Sequence, residues 1–296
     1  MRENDYPALY QSANQSSASA QSSYYWLIRL QYFLLFASAV VPLFSVSYPF
    51  VLILYPLLVT GAAGLLIYMA IRKPERDWYA CRALAESIKT STWRFMMRAA
   101  PFEDTASIHD ARGKFAAYLR DILAANKHID VAISRHPVKG EQITEAMLVN
   151  RALSLVDRRE LYQQDRINEQ QTWYVVKAKT NRHSFRRWII FCVLVQVLAI
   201  GLAIVRIRDE SFIGFWPTEP LLVLASAIVG WIQIKKFTEL ASAYTLTAHE
   251  IGIIRVRSDA VKTEEELSSF VAEAELGFSR EHTQWIARQT VDKPTV

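Results

Sequence analysis

The groups that could do acid–base, nucleophilic or metal chemistry in this chain are badly placed for it. Six histidines and two cysteines are spread over 296 residues. His249 and Glu250 are adjacent, as are Glu281 and His282, so on a helix the two members of each pair project to different sides. A zinc-binding helix needs its histidines four residues apart on one face, and no HExxH occurs. No Walker A loop, GxGxxG or GxSxG occurs either. Cys81 and Cys192 form no CxxC pair and no disulfide framework. Cys81 falls in an apolar stripe and reads as a small core residue. No catalytic residue, cofactor or metal ligand is therefore assigned. The strongest physical demands come from amides and hydroxyls inside apolar runs. Gln196 sits amid 18 uncharged residues, 188–205. An amide in hydrocarbon needs a partner, so Gln196 either bonds across helices or lines water. Ser38 and Thr60 are the other candidates for a polar path or an interhelical bond.

The elements that must position these groups are membrane spans. Residues 30–71 contain no charged side chain over 42 positions. One helix needs about 20 apolar residues to cross roughly 30 Å of hydrocarbon, so this stretch holds two spans, about 30–47 and 50–71. Pro42, Ser45, Ser47 and Pro49 mark the turn. The second pair is 188–205, bounded by Arg187 and Arg206, and about 217–235, with Pro220 in a first turn where its missing N–H costs nothing. Trp188, Trp216 and Trp231 lie near span ends, as interfacial aromatics do. Gly61, Ala62, Ala63 and Gly64 permit close helix approach. The span interiors carry no charge, which argues against a proton-coupled pump.

Basic residues set the orientation. Arg72, Lys73 and Arg76 follow the first hairpin, Arg182, Arg186 and Arg187 precede the second, and Lys235 and Lys236 follow it. Arg206 and Arg208, in the second connection, conflict in part. The balance places both termini and the central segment in the cytoplasm. The net charge of +5 suits an anionic lipid face better than a nucleic-acid binder. The Ser-rich start lacks the basic region of a signal peptide.

Outside the spans the pattern is helical, as nine glycines and ten prolines suggest. After Pro74, the residues Trp78, Cys81, Ala85, Ile88, Thr92 and Phe95 make a heptad-like stripe of the kind coiled coils bury. Arg76, Asp77, Arg94 and Arg98 lie opposite. A further helix near 106–126 carries Phe115, Leu119 and Ile122. Residues 136–142, with Pro137 and Gly140, read as a linker between an N-terminal domain, 1–135, and a C-terminal one, 143–296. From Ile143 a polar helix runs on through Gln163, Gln164, Gln170 and Gln171, a composition that bridges solvent or packs through polar contacts in an oligomer. Phe237, Leu240, Tyr244, Ala248 and Ile251 form another stripe. Thr263 with Glu266 makes a capping box, and 279–289 is amphipathic. The fold class is all-α: an integral membrane protein with two transmembrane hairpins and cytoplasmic helical segments.

The run Arg82-Ala-Leu-Ala-Glu-Ser-Ile-Lys-Thr90, with Trp78 before it and Thr92-Trp93-Arg94 after it, follows a two-helix hairpin and resembles the SLATT domains. These are two-transmembrane effector domains associated with nucleotide-synthesising and SLOG-type sensor proteins in bacterial conflict systems. Tyr6-Pro7-Ala8-Leu9-Tyr10 fits the same subtype. Trp173-Tyr174, Lys177-Ala178, Asn181, Glu239, Tyr244, His249-Glu250-Ile251 and Ser279-Arg280-Glu281-His282-Thr283-Gln284-Trp285 resemble a second SLATT subtype. The resemblance implies an inner-membrane effector that oligomerises and forms a pore or disrupts the bilayer when an upstream sensor acts. The implied partners are lipid, further copies of the chain and a sensor or nucleotide-signal protein encoded nearby, with no nucleic acid. Glu86, Trp93 and Arg94 are candidates for the cytoplasmic contact that gates the hairpins; ordinary ion pairing and packing is the other reading of them. The rival overall reading is a non-conducting scaffold or sensor that recruits a cytoplasmic partner.

Overall fold

A computed structural model describes residues 1–44, 51, 53–103 and 107–290. Among these, regular structure is entirely helical. The elements are α1 (Ala8–Val40), α2 (Leu54–Arg72), α3 (Pro74–Met96), α4 (Ile108–Ala125), the single turn α5 (Asp130–Ile133), α6 (Glu145–Ala152), α7 (Leu155–Tyr162), α8 (Glu169–Arg208), α9 (Thr218–Lys235), α10 (Phe237–Ser258) and α11 (Glu264–Thr290). A π-helical segment, Gln163–Asn168, joins α7 to α8. Pro42 lies in a 3-10 turn, Val41–Phe44. Ser45, Ser47, Pro49 and Ala106 lie outside the described residues.

Local chemistry sets the helix ends. Ser107, Thr144 and Ser154 cap α4, α6 and α7, each side chain accepting from a backbone N–H three residues on. At α11 the capping box is reciprocal: Thr263 Oγ1 accepts from Glu266 N at 3.2 Å, and Glu266 Oε2 accepts from Thr263 N at 3.2 Å. The exits of α2 and α9 end alike, on Lys73 (φ 46°) and Lys236 (φ 49°) in left-handed conformation. There the chain breaks direction before Pro74 and Phe237 begin the next helices.

The chain forms two compact units that do not follow sequence halves. One, here the polar unit, comprises Met1–Ser22, Pro74–Tyr174 and Leu246–Val296. Helix α3 is its centre, packed on α11, α6 and α4. Every member of the Trp78-to-Phe95 stripe is buried, so the heptad-like spacing marks a core helix. Phe95, Phe102 and Phe115 stack beside it at centroid distances of 4.9–6.2 Å. The Ser-rich start of α1 is helical, and Ala8, Ser12, Ala13, Ser16 and Ser17 are its buried small residues. Ser16 Oγ donates to Ala132 O at 3.1 Å and Ser17 Oγ to Trp78 O at 3.4 Å. The irregular stretch 136–142 runs along this start: Glu141 O accepts from Ala8 N and Ser12 Oγ from Val138 N.

The other, the spanning unit, comprises Ser23–Lys73 and Val175–Thr245. It holds the apolar parts of α1, α2, α8 and α9, four helices long and apolar enough to cross a membrane. Cys192 and Val195 of α8 pack on Ala225 and Ile228 of α9. Ile28, Met69, Phe185, Trp231 and Phe237 join both hairpins at one end of the bundle. The perimeter is apolar: Phe33, Leu57, Leu66 and Leu194 are each more than half exposed. Water would not tolerate so continuous an apolar surface, and lipid does.

Candidate functional site

Helix α3 ends with carbonyl oxygens that have no intrahelical partner, and arginines supply the missing donors. Arg151 of α6, 1% exposed, donates to Phe95 O, and to Phe102 O at 2.7 Å. Its guanidinium also lies 4.6 Å from the Phe95 ring centroid. Arg158 of α7, fully buried, donates to Met97 O at 3.0 Å and Leu153 O at 3.1 Å, and pairs with the Glu264 carboxylate. Arg98 in turn donates to Arg151 O at 3.0 Å. The planar fork of arginine suits this work, because several N–H groups satisfy several carbonyls at once.

Two turns further, Arg166 and Glu275 form a bidentate pair in the core. Nε meets Oε1 at 2.8 Å and Nη2 meets Oε2 at 2.6 Å, with both side chains at most 2% exposed. Burial works against the Arg166 charge, but the adjoining Glu275 carboxylate outweighs it and pushes the pKa up. Tyr162 OH donates to the same Oε1 at 3.0 Å. Burial, then the Glu275 charge, hold that phenol far above its usual range. The ring of Tyr162 meets Trp93 edge-on at 5.7 Å, and Trp93 Nε1 donates to Tyr6 OH at 3.1 Å. Burial raises the Tyr6 phenol as well. Arg166 belongs to the π-helical segment, a widened turn frequent at functional sites.

The candidate gating residues divide around this core. Trp93 is in it and Arg94 beside it, donating to Ala272 O of α11 at 3.1 Å. Glu86 lies two turns away, paired with Arg82 of its own helix. The polar residues of the spans are placed differently. Ser38 is buried and donates to Leu35 O of its own helix at 2.8 Å. Thr60 is exposed. Gln196 is exposed too, amid exposed Val193, Leu194, Val197 and Leu198, while Cys192, Val195 and Ala199 face inward. Among the described residues no hydrogen bond joins the three, and no His, Cys, Asp and Glu side chains gather as a metal-ligand set. Burial, then Asp77, push the Cys81 thiol up to about 11, so it is held as the unreactive thiol.

Residues 7–159 match the family model for SMODS and SLOG-associating 2TM effector domain 3, and residues 162–285 match the one for effector domain 1. The chain belongs to the SLATT family. No curated protein and no solved structure matches it. It is a tandem SLATT protein and a multi-pass membrane protein.

The polar core now has a plain description: it is where the two SLATT domains meet. Trp93 of the first contacts Tyr162 of the second, Arg94 reaches Ala272 O, Arg158 pairs with Glu264, and Ala100 N donates to Ser268 Oγ at 3.1 Å. Sequence reasoning singled out Trp93 and Arg94 of these core residues and passed over Arg151, Arg158, Tyr162, Arg166 and Glu275. One signal was available. Arg158, Tyr162 and Arg166 recur every four residues, but on a polar helix that spacing reads as a solvated face.

Proposed function

We propose that this tandem SLATT protein is a membrane effector of a bacterial conflict or anti-phage system, which oligomerises and opens a pore, or otherwise disrupts the inner membrane, when an upstream sensor acts. One observation carries the reading. Gln196 presents an amide on the outward apolar face of α8, in the middle of a span. Lipid offers that amide no hydrogen-bond partner, whereas the same helix of another copy does. An assembly closed through α8 places several such amides together, and they either lock the ring or line its water. The basic flanks orient both termini to the cytoplasm, where a sensor acts. The polar core joining the two domains is then the two-state element: a trigger that binds its open packing better shifts the population.

The test is membrane potential in bacteria expressing the intact protein, Gln196→Leu, or a version lacking 30–71, each with and without the neighbouring genes. Depolarisation by the intact protein, abolished by the deletion, supports a membrane-disrupting effector. Its loss with Gln196→Leu at equal membrane abundance assigns α8 to the assembly. An intact protein that never depolarises, even beside the products of its neighbouring genes, overturns the pore and leaves the scaffold that recruits a cytoplasmic partner.

A further inference from the structure

Two ends of the spanning unit each set an arginine over a tryptophan, and they differ in one respect. At one end Arg206 lies 6.0 Å from the Trp216 centroid and has its own acids, Glu210 at 3.3 Å and Glu219 at 3.9 Å. That cation is neutralised within the protein. At the other end two cations share the indole of Trp231. Arg29 of α1 lies 5.2 Å from its centroid and Lys235, the last residue of α9, 5.1 Å, which bounds their separation at about 10 Å. Among the described residues neither has a carboxylate at ion-pair distance.

This convergence is built by the fold. Trp231 is 9% exposed, with Tyr25 edge-on at 5.7 Å and Trp188 at 6.4 Å. The Lys235 ammonium is drawn inward to 3.4 Å from the Tyr25 ring centroid, although a lysine at a helix end is free to extend into water. Arg29 is exposed, so a group arriving from outside the bundle can reach the pair. Both hairpins pack at this end, through Ile28, Met69, Phe185 and Ile234. It is also the end flanked by Arg72, Lys73, Arg186, Arg187 and Lys236. A tryptophan at a span end sits at headgroup depth.

We propose that Arg29 and Lys235, held against Trp231 between the first and fourth spans, form a headgroup site for an anionic phospholipid. The phosphodiester is the chemistry the pair requires. It brings one negative charge to two positive ones that otherwise repel, and its oxygens accept from guanidinium and ammonium together. An aromatic cluster alone suits a quaternary ammonium, but protein cations already occupy this indole, so a choline headgroup meets repulsion. Basic pockets between spans are a general means of holding anionic headgroups. Such a lipid bridges the two hairpins of one chain and tightens the bundle at this end.

The test uses the purified full chain in detergent, supplied with phosphatidylglycerol, phosphatidylcholine of the same acyl chains, or inorganic phosphate. Lipid retained is counted by native mass spectrometry and the thermal midpoint is followed in parallel. The expected result is retention of, and stabilisation by, phosphatidylglycerol over phosphatidylcholine. Arg29→Gln should lower that retention roughly fivefold, the order of one basic residue at a charged membrane surface, and Arg29→Gln/Lys235→Gln should abolish the preference. Arg72→Gln/Arg187→Gln removes equal charge from the same end at exposed positions and should leave it. Arg29 is exposed, so its single variant carries the test if the double one does not fold. Equal retention of the two lipids overturns the proposal. So does an equal loss in the Arg72→Gln/Arg187→Gln protein, which would mean diffuse attraction, or equal stabilisation by inorganic phosphate, which would mean a free-anion site.

Discussion

The polar unit and the spanning unit solve opposite solvation problems with one chain. The polar unit buries Arg151, Arg158, Arg166 and Glu275 and gives each charge partners inside the fold. The spanning unit buries small and apolar groups, such as Cys192, Val195, Ala225 and Ile228, and turns large apolar side chains such as Phe33, Leu57, Leu66 and Leu194 outward. In water a buried charge is tolerable once paired, and an exposed leucine costs little alone but much in a continuous surface. In lipid an exposed leucine costs nothing and an unpartnered amide is the anomaly. The difference teaches where specificity lies. In the polar unit it lies in which charge meets which carbonyl; in the spanning unit it lies in close helix contacts and in the few polar groups left outside.

The sharpest way to break this comparison is to remove one charge from the polar core. Glu275→Ala leaves the Arg166 guanidinium buried without its counter-ion and Tyr162 without its acceptor. Breaking a buried pair from one side costs about 3–5 kcal/mol. Hydrogen exchange should accelerate along α3, α7 and α11 and hardly change in α8 and α9. Leu194→Ala, on the perimeter of the spanning unit, should cost well under 1 kcal/mol in a membrane mimic, since lipid refills the space. Replacing both charges together, Arg166→Met with Glu275→Leu, should recover most of the loss. Equal exchange in both units after Glu275→Ala would mean that the core is not held by that pair.

A smaller effect in the polar unit is read by pH. Tyr6 and Tyr162 are neutral in the folded polar unit well past the pH at which an unfolded chain ionises them, near 10. The sign follows from proton counts. Above pH 10 the folded state holds protons that the unfolded state has released, so stability is full below pH 10 and falls as pH rises above it. Each tyrosine contributes about 1.4 kcal/mol per pH unit in that range. Denaturant melts at pH 9 and pH 11 should show the drop, and Tyr6→Phe/Tyr162→Phe should lessen it.

How much of this was legible in the sequence depended on which solvent set the pattern. The first pair of spans was plain, because hydrocarbon excludes charge from every face, here over 42 residues; the second pair, with shorter uncharged runs, was a weaker signal. The α3 stripe and the Thr263–Glu266 cap were plain too, since each obeys a local spacing rule. The joint between the domains was not. Its partners, from Trp93 with Tyr162 to Arg94 with Ala272, are 69 to 178 residues apart, and an arginine destined for a carbonyl looks like any surface arginine. The long polar helix containing Gln163 and Gln164 suggested solvent or an oligomer. It packs within the chain, because arginine and tyrosine at every fourth position carry polar ends to internal acceptors. Gln196 was legible as an amide needing a partner, and only the fold shows it facing outward.

The smallest effect concerns close approach in the spanning unit. Gly230 of α9 faces Tyr32 of α1: a methyl group added there would lie 2.4 Å from the Tyr32 hydroxyl and 3.2 Å from the ring carbon bearing it. Glycine is needed at this point for space rather than for backbone freedom. Gly230→Ala must push the phenol aside, and overpacking of that kind costs about 1–3 kcal/mol. The hydroxyl is the far end of its side chain, which puts the expected loss near 1 kcal/mol, read as a lower thermal midpoint in detergent. Removing the hydroxyl with Tyr32→Phe should restore most of that loss, because the 3.2 Å contact relaxes with a small ring shift. Gly61→Ala is the matched control, since its nearest neighbour is Leu34 Cδ1 at 4.0 Å, and it should be neutral. If Gly230→Ala is equally neutral, the two hairpins are not held together at Tyr32, and the spanning unit is looser than the polar unit at a point of close steric approach.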